Sequence, residues 1–358
     1  MGPRTRVLLL TGALLVAPLA TTATPAAAAT PDRYGFAYLD TPTPPGAYVP
    51  DLSRQWSGGP PVTVSPTGPV GMYQVRFPGQ AAPAGVAHVT AVNRTGEWCM
   101  VENYGPSGAD EIVNVRCYRP GGALANSRFA VLFSFSSGMV PAASGAYASL
   151  RSTPAGGVMA TYNSLGPPNS IAWLSAGTYR ATLPGVGAGA ALTGSVQVTA
   201  ANGAVPARCK VINWTTTGAG QDVIVRCVNP AGVPTNTGWT LSYQHKRAIN
   251  GGLAPPTRYG YLFDTLGAPP PAAVYNSLGG AAVAGAAGTG LRAVNFSLIG
   301  LQQDHMQVTA VGSGPEYCTM AQPWLTSGGT VTLRYVICYT NTGALVTQPS
   351  LVTYMSRS

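Results

Sequence analysis

One group of sequence markers recurs three times along the chain at an almost constant interval. The cysteine that opens each copy's pair is Cys99, Cys209 or Cys318. Successive copies are therefore offset by about 110 residues, and a period this steady indicates three copies of one structural unit. We place the units at residues 30–137, 138–246 and 247–358. The markers shared by the first two copies are residues 71–79 and 177–185, 88–92 and 197–200, and 115–117 and 225–227.

Residues 1–29 have the composition of a secretory signal peptide. Arg4 and Arg6 precede an apolar run at residues 7–20, and small residues end at Ala29. A membrane-spanning helix needs about 20 apolar residues, and no later stretch has such a run. We therefore expect a secreted, extracellular protein with no membrane span.

The cysteines and the composition together indicate the fold class. Six cysteines fall two per copy, which in an exported protein indicates disulfides. Because the copies must fold alike, we expect one bond inside each. Only 9% of residues are charged, and 45 Gly and 32 Pro accompany short alternating segments, which favours turn-rich β structure. The sequence predicts three tandem antiparallel β-sandwich (Ig-like) domains, arranged as a string of separate units. The predicted disulfides are Cys99–Cys117, Cys209–Cys227 and Cys318–Cys338.

Alternation along the strands assigns side chains to two faces. Tyr73, Val75 and Phe77 are predicted to enter the core, and Gln74 and Arg76 to meet solvent. The next strand puts its alternate small and branched residues inward, and we expect its polar residues to lie at the surface. Those polar residues and their equivalents in the other copies are His88, Thr90, Gln197, Thr199, Gln307 and Thr309.

The sequence gives little support for catalysis. It contains no nucleophile elbow, P-loop, H-E-x-x-H or EF-hand motif, and the cysteines are needed as disulfides. Asp304-His305 could form half of an acid–base or metal pair, but no second histidine or cysteine ligand lies nearby in the sequence. We predict no catalytic residues, no metal site, no cofactor and no nucleic-acid partner. A secreted hydrolase is the third alternative.

Aromatic and basic residues supply the candidate binding groups. Trp214 and Trp324 are predicted to lie in the loop after the first cysteine, where they could stack on a glycan or instead cover the disulfide. The second unit has six basic residues and a single acid, Asp222, so its net charge is +5 against 0 and +2 for the first and third units. Arg180 and Arg226 are predicted to face solvent there. These features predict contact with an anionic cell-wall polymer or a glycan; alternatively, the charge only maintains solubility.

The pattern of recurring sequence markers resembles that of exported tandem β-repeat proteins of actinobacteria. It is carried by Gly71-x-Tyr73, Phe77-Pro78-Gly79, Val89-Thr90-Ala91 and Val115-Arg116-Cys117. The resemblance extends over all three units and implies no particular activity. Together these features predict a secreted, non-catalytic protein for surface association, adhesion or ligand binding. The runner-up is a carbohydrate-binding protein that uses the loop aromatics. The oligomeric state and the identity of the ligand stay open.

Overall fold

The chain folds as an all-β protein. The computed structural model describes residues 1–2, 32–138, 145–187, 192–251, 257–267 and 273–357. Residues 3–29 of the predicted signal peptide lie outside these ranges. Within them the regular structure consists of 25 strands and one 3₁₀ turn, Leu52–Arg54, and none of it is a helix able to cross a membrane.

The first unit is a sandwich of two four-stranded antiparallel sheets. One sheet, which we call the inner sheet, has the order β2-β1-β8-β5, and the outer sheet has the order β3-β4-β7-β6. The strands are β1 (Arg33–Leu39), β2 (Gln55–Trp56), β3 (Thr63–Pro66), β4 (Met72–Phe77), β5 (Val86–Val92), β6 (Trp98–Ser107), β7 (Asp110–Tyr118) and β8 (Arg128–Phe135).

The second unit repeats this arrangement. Its inner sheet has the order β10-β9-β16-β13 and its outer sheet β11-β12-β15-β14. The strands are β9 (Ala146–Ser152), β10 (Val158–Asn163), β11 (Ser170–Ser175), β12 (Thr178–Pro184), β13 (Ser195–Ala200), β14 (Arg208–Thr217), β15 (Gly220–Val228) and β16 (Trp239–His245).

The third unit adds one short strand to the same plan. Its inner sheet is β18-β17-β25-β21, and its outer sheet is β19-β20-β24-β22, with β23 paired to β24. A parallel pairing of β22 with β5 joins this outer sheet to the inner sheet of the first unit, so that together they form one nine-stranded sheet. The strands are β17 (Tyr259–Asp264), β18 (Val274–Asn276), β19 (Ala282–Gly288), β20 (Leu291–Phe296), β21 (Asp304–Ala310), β22 (Tyr317–Met320), β23 (Leu325–Ser327), β24 (Thr330–Tyr339) and β25 (Ser350–Ser356).

Each unit has its own disulfide, as predicted, and a sandwich core; the cores of the second and third units also include side chains of a neighbouring unit. The bonds are Cys99–Cys117, Cys209–Cys227 and Cys318–Cys338, and each joins directly opposed residues of neighbouring outer-sheet strands. On the chain-entropy model, closing a loop of this length contributes about 3 kcal/mol per unit. Tyr73, Val75 and Phe77 of β4 are buried between the sheets, while Arg76 is exposed. Alternation thus assigns the two faces of β4 correctly.

The inner sheets depart from the prediction. His88, Thr90 and their equivalents in β13 and β21 were expected at the surface, but all six side chains are buried, with exposures of 0–6%. The prediction is wrong because the second face of β5, β13 and β21 meets the other two units instead of water. The residues are uncharged and can hydrogen-bond one another, so they tolerate this burial.

The hydrogen bonds between these strands form a closed cycle. The Val89 amide of the first unit donates to Thr199 Oγ1 of the second, at 3.4 Å. The Val198 amide of the second donates to Thr309 Oγ1 of the third, at 3.3 Å. The Val308 amide of the third donates to Thr90 Oγ1 of the first, at 3.0 Å, which closes the cycle. The three units therefore surround a common axis, and the predicted string of separate units is wrong.

His88 shows how complete this enclosure is. Its Nδ1 lies 3.2 Å from Thr199 Oγ1 and its Nε2 lies 2.8 Å from Ser242 Oγ, so both contacts are to the second unit. Burial lowers the pKa of His88 to about 3. The expected surface histidine is instead a neutral interior group that links two units.

Candidate anion-binding pocket

The residue before the first cysteine of each unit reaches the common axis. These residues are Trp98, Arg208 and Tyr317, at equivalent positions of β6, β14 and β22. The Arg208 guanidinium carbon lies 5.1 Å from the centre of the Trp98 ring and 4.3 Å from that of Tyr317. A guanidinium next to two aromatic faces is stabilised by cation–π attraction. Three units thus contribute one side chain each to a single cluster.

A cavity of about 60 Å³ lies beside this cluster. All three units form its walls, through β5, β13 and β21 on one side and the cysteine strands on the other. A buried water occupies about 10–15 Å³ on this measure. The cavity, which we call the central pocket, has room for a carboxylate or phosphate group but not for a larger molecule.

The central pocket has an excess of positive charge. Its lining contains Arg208, Lys210 and Arg226 from the second unit and one carboxylate, Glu316, from the third. Arg208 is 8% exposed and Lys210 is 7% exposed. Lys210 Nζ donates to Glu316 Oε2 at 3.3 Å and to the Glu316 carbonyl at 3.0 Å. Two guanidinium charges remain without a carboxylate in the lining.

Burial and mutual repulsion act on these cations. Desolvation, opposed by Glu316 and reinforced by Arg208 and Arg226, lowers the pKa of Lys210 to about 8. Desolvation also lowers the pKa of Arg208 to about 10. Both shifts have the sign expected of cations held away from water, and neighbouring positive charge adds to the shift of Lys210. An anion in the pocket would oppose both effects.

Several donors of the lining make no hydrogen bond within the described residues. They are Nε and Nη1 of Arg208, Nε of Arg226 and the Thr319 hydroxyl. Arg208 Nη2 donates a hydrogen bond to Asn341 Oδ1, and Arg226 Nη1 donates one to Thr178 Oγ1 at 2.7 Å. Buried donors without acceptors are costly, and an oxyanion is a ligand that would supply acceptors and negative charge together.

The structure separates the four predicted binding residues. Arg226 is half-buried and lines the central pocket, whereas Arg180 is exposed on β12, with its Nε 3.8 Å from Asp222 Oδ2. Trp214 and Trp324 are buried. Trp214 lies in β14, and its Nε1 donates to the Thr193 carbonyl at 3.1 Å; Trp324 Nε1 donates to Asp304 Oδ1 at 2.8 Å. Neither ring offers a face to a glycan, so the loop placement that suggested this role is wrong for Trp214, and both are core residues.

Asp304 and His305 also belong to the interior. Besides Trp324, Asp304 accepts a hydrogen bond from the Tyr354 hydroxyl at 3.2 Å. The His305 ring stacks on Phe36 of the first unit with centroids 5.4 Å apart, and burial lowers its pKa to about 3. Among the residues that the structure describes, no three His, Cys, Asp or Glu side chains are grouped to hold a metal ion.

Arg208 and Lys210 contribute to the charge of the second unit, but the sequence alone did not single them out as site residues. A signal was present, because the position before the first cysteine is aromatic in two copies and arginine in one. No protein-family model, curated protein or solved structure matches the chain.

Proposed function

We propose that the protein is a secreted, non-catalytic binding protein that holds one anionic group in the central pocket. The observation that carries the proposal is the set of three cations around one small cavity, opposed by a single carboxylate. The ligand is a carboxylate or phosphate group presented by a larger extracellular molecule, such as an anionic cell-wall polymer. The three disulfides suit the oxidising conditions outside the cell.

The structure changes how the charge of the second unit is interpreted. Arg151 lies over the Tyr104 ring of the first unit, 4.0 Å from its centre, and Arg208 and Lys210 contact the third unit. Much of the +5 charge therefore faces the other units and not an external surface. Binding should need all three units assembled around their common axis, because each of them forms part of the pocket wall.

A glycan contact is the second candidate function, and Trp173 is the observation that favours it. Its side chain on β11 is 55% exposed, and its Nε1 donates to Asn236 Oδ1 at 3.3 Å. Aromatic rings held in this way present an amphipathic surface to a ligand. The contact would lie away from the central pocket, whose lining does not include Trp173.

Thermal unfolding of the full mature chain with inorganic phosphate or acetate tests the proposal at constant ionic strength. A ligand at 100 times its dissociation constant stabilises by about 2.7 kcal/mol, so we expect a higher Tm for the wild type. Arg226→Gln should lose most of this shift. Arg180→Gln is the matched control, since it removes the same charge from the exposed face of the same unit.

Two results would overturn the pocket proposal. One is no shift in Tm for the wild type with either anion. The other is an equal loss of the shift in both variants, because that would place the effect in the general positive charge of the second unit.

A further inference from the structure

A second basic site lies between the first and third units. Arg54, which ends the 3₁₀ turn, Arg128 at the start of β8 and Arg334 in β24 line one open groove of about 440 Å³. This volume falls in the range of small-molecule sites, about 300–1,000 Å³. We call this site the arginine groove; it shares no lining residue with the central pocket.

Arg54 is held in place by aromatic rings. Its guanidinium carbon lies 5.0 Å from the centre of the Trp324 ring and 5.6 Å from that of Tyr38. Its Nη1 is buried and has no hydrogen-bond partner within the described residues. Its ion pair with Asp51 is long, at 3.9 Å, and the Asp51 side chain is half exposed, so water screens it. Arg54 is therefore preorganised and only partly neutralised.

The other two arginines leave the groove positively charged. Arg128 and Arg334 are both exposed and form no ion pair among the described residues. Within the described part of the chain, no carboxylate lines the groove. Asp304 lies under Trp324, but its oxygens accept hydrogen bonds from Trp324, Thr326 and Tyr354. Arg94, bonded to Gln322 at 3.1 Å, extends the positive rim.

The remaining lining is apolar. Pro323 and Leu325 flank Trp324, and Leu325 is 53% exposed. The groove therefore combines guanidinium groups with an apolar surface, and this combination suits a ligand that has an anionic group attached to an uncharged body. A terminal phosphoryl group has three strong acceptor oxygens, whereas a carboxylate has two. Three guanidiniums along one groove therefore favour phosphate over carboxylate.

We propose that the arginine groove binds an organic phosphate, with its phosphoryl group on Arg54, Arg128 and Arg334 and its uncharged body over Pro323 and Leu325. The site is independent of the central pocket and of the function proposed for it. A phosphorylated sugar is the simplest compound with these two parts.

Calorimetric titration of the full mature chain with glucose 6-phosphate, inorganic phosphate and glucuronate tests the proposal. Glucose 6-phosphate should bind at least tenfold more tightly than either of the others, because only it combines a phosphoryl head with an uncharged body. Arg128→Gln and Arg334→Gln should each weaken its binding at least tenfold; both residues are exposed, so the fold should be kept. Leu325→Ser should weaken glucose 6-phosphate binding while leaving phosphate binding unchanged.

Two variants serve as controls. Arg180→Gln removes an exposed arginine elsewhere, and Arg226→Gln removes one from the central pocket; both should bind glucose 6-phosphate within twofold of the wild type. Equal affinity for glucuronate would overturn the proposal, as would an Arg334→Gln variant that behaves like Arg180→Gln. Loss of binding in Arg226→Gln alone would place the ligand in the central pocket and overturn the groove.

Discussion

Strands β4 and β5 follow one another in the first unit and share the same alternating pattern, yet their polar faces have opposite surroundings. On β4, Arg76 points to solvent and pairs with Asp110 at 2.7 Å. On β5, His88 and Thr90 are enclosed between units. Alternation identifies the two faces of a strand, but it does not say what the second face meets.

Charge distinguishes the two kinds of polar face. The outer-sheet strands β4 and β12 carry Arg76 and Arg180 on their polar faces, whereas the corresponding faces of β5, β13 and β21 carry no Asp, Glu, Lys or Arg. A charged side chain is costly to bury without a partner, while hydroxyl and amide groups can satisfy one another. A polar strand face that lacks charge in all three copies is thus a signal of an interface.

The largest effect should come from removing one hydroxyl of the enclosed face. Thr199→Val leaves the Val89 amide and His88 Nδ1 without a partner, and each buried unsatisfied group costs about 1–3 kcal/mol. We expect the free energy of unfolding to fall by about 2–4 kcal/mol. Thr182→Val on β12, which loses a hydrogen bond to Asp222 at 2.7 Å near solvent, should cost under about 1 kcal/mol.

Urea unfolding of the two threonine variants measures this difference. Both substitutions are the same in size and chemistry, so β propensity contributes equally. Similar small losses in both variants would mean that Thr199 is not enclosed between units.

A second effect should appear on acidification. The pKa of His88 is about 3 in the fold and about 6.5 in the unfolded chain, so the unfolded chain binds more protons between these values. Stability therefore falls as the pH drops below about 6.5, by about 1.4 kcal/mol per pH unit for each such histidine. His305, whose pKa is also about 3, adds to the same trend.

His88→Gln sharpens this test, because the other two units have glutamine at the equivalent positions. Between pH 6.5 and 5 the variant should lose about 2 kcal/mol less stability than the wild type. Glu111 opposes the trend, since burial raises its pKa to about 8 and stability then falls as the pH rises from about 4.5 to 8. This contribution is common to both proteins and cancels in the comparison. If the free energy of unfolding depends on pH identically in the wild type and in His88→Gln, His88 has the same pKa in the folded and unfolded chain.

The smallest expected effect concerns the tryptophans. Trp173 is exposed and Trp56 is half-buried, while the other four are buried. Trp173→Phe should remove most of the emission that acrylamide quenches, with little effect on stability. If strong quenching persists both in this variant and in one that also lacks the half-buried Trp56, one of the four tryptophans described as buried must be accessible to solvent.

Features that lie within one copy could be predicted from the sequence. The disulfides follow from two cysteines per repeat, and the burial of Tyr73, Val75 and Phe77 follows from strict alternation. Trp214 could not be placed in this way, because the pairing of β14 with β15 shifts by one residue between Val211 and Asn213. This bulge puts Val211 and Trp214, three positions apart, into the same core, which alternation alone forbids.

Features that depend on how the copies meet could not be predicted. Arg208, Lys210 and Glu316 belong to two units, and only the closed ring brings them to one cavity with walls from all three. Arg226 was singled out for its charge and its strand position, yet it points to the pocket because β15 lies next to β14 at the axis. Periodicity within a unit carries no information about which faces of different units meet, so it could not locate the site.

Small-angle X-ray scattering of residues 30–358 tests most directly whether the three units close around a common axis, the arrangement that we call the closed ring. A compact body of this length has a radius of gyration of about 20 Å. Three units that each have a radius of gyration of about 13 Å, arranged in line as a string, would give the whole chain a radius of gyration of about 30 Å. The closed ring predicts a radius of gyration of about 20 Å with a bell-shaped distribution of interatomic distances. A radius of gyration of about 30 Å would contradict the ring, and with it the central pocket.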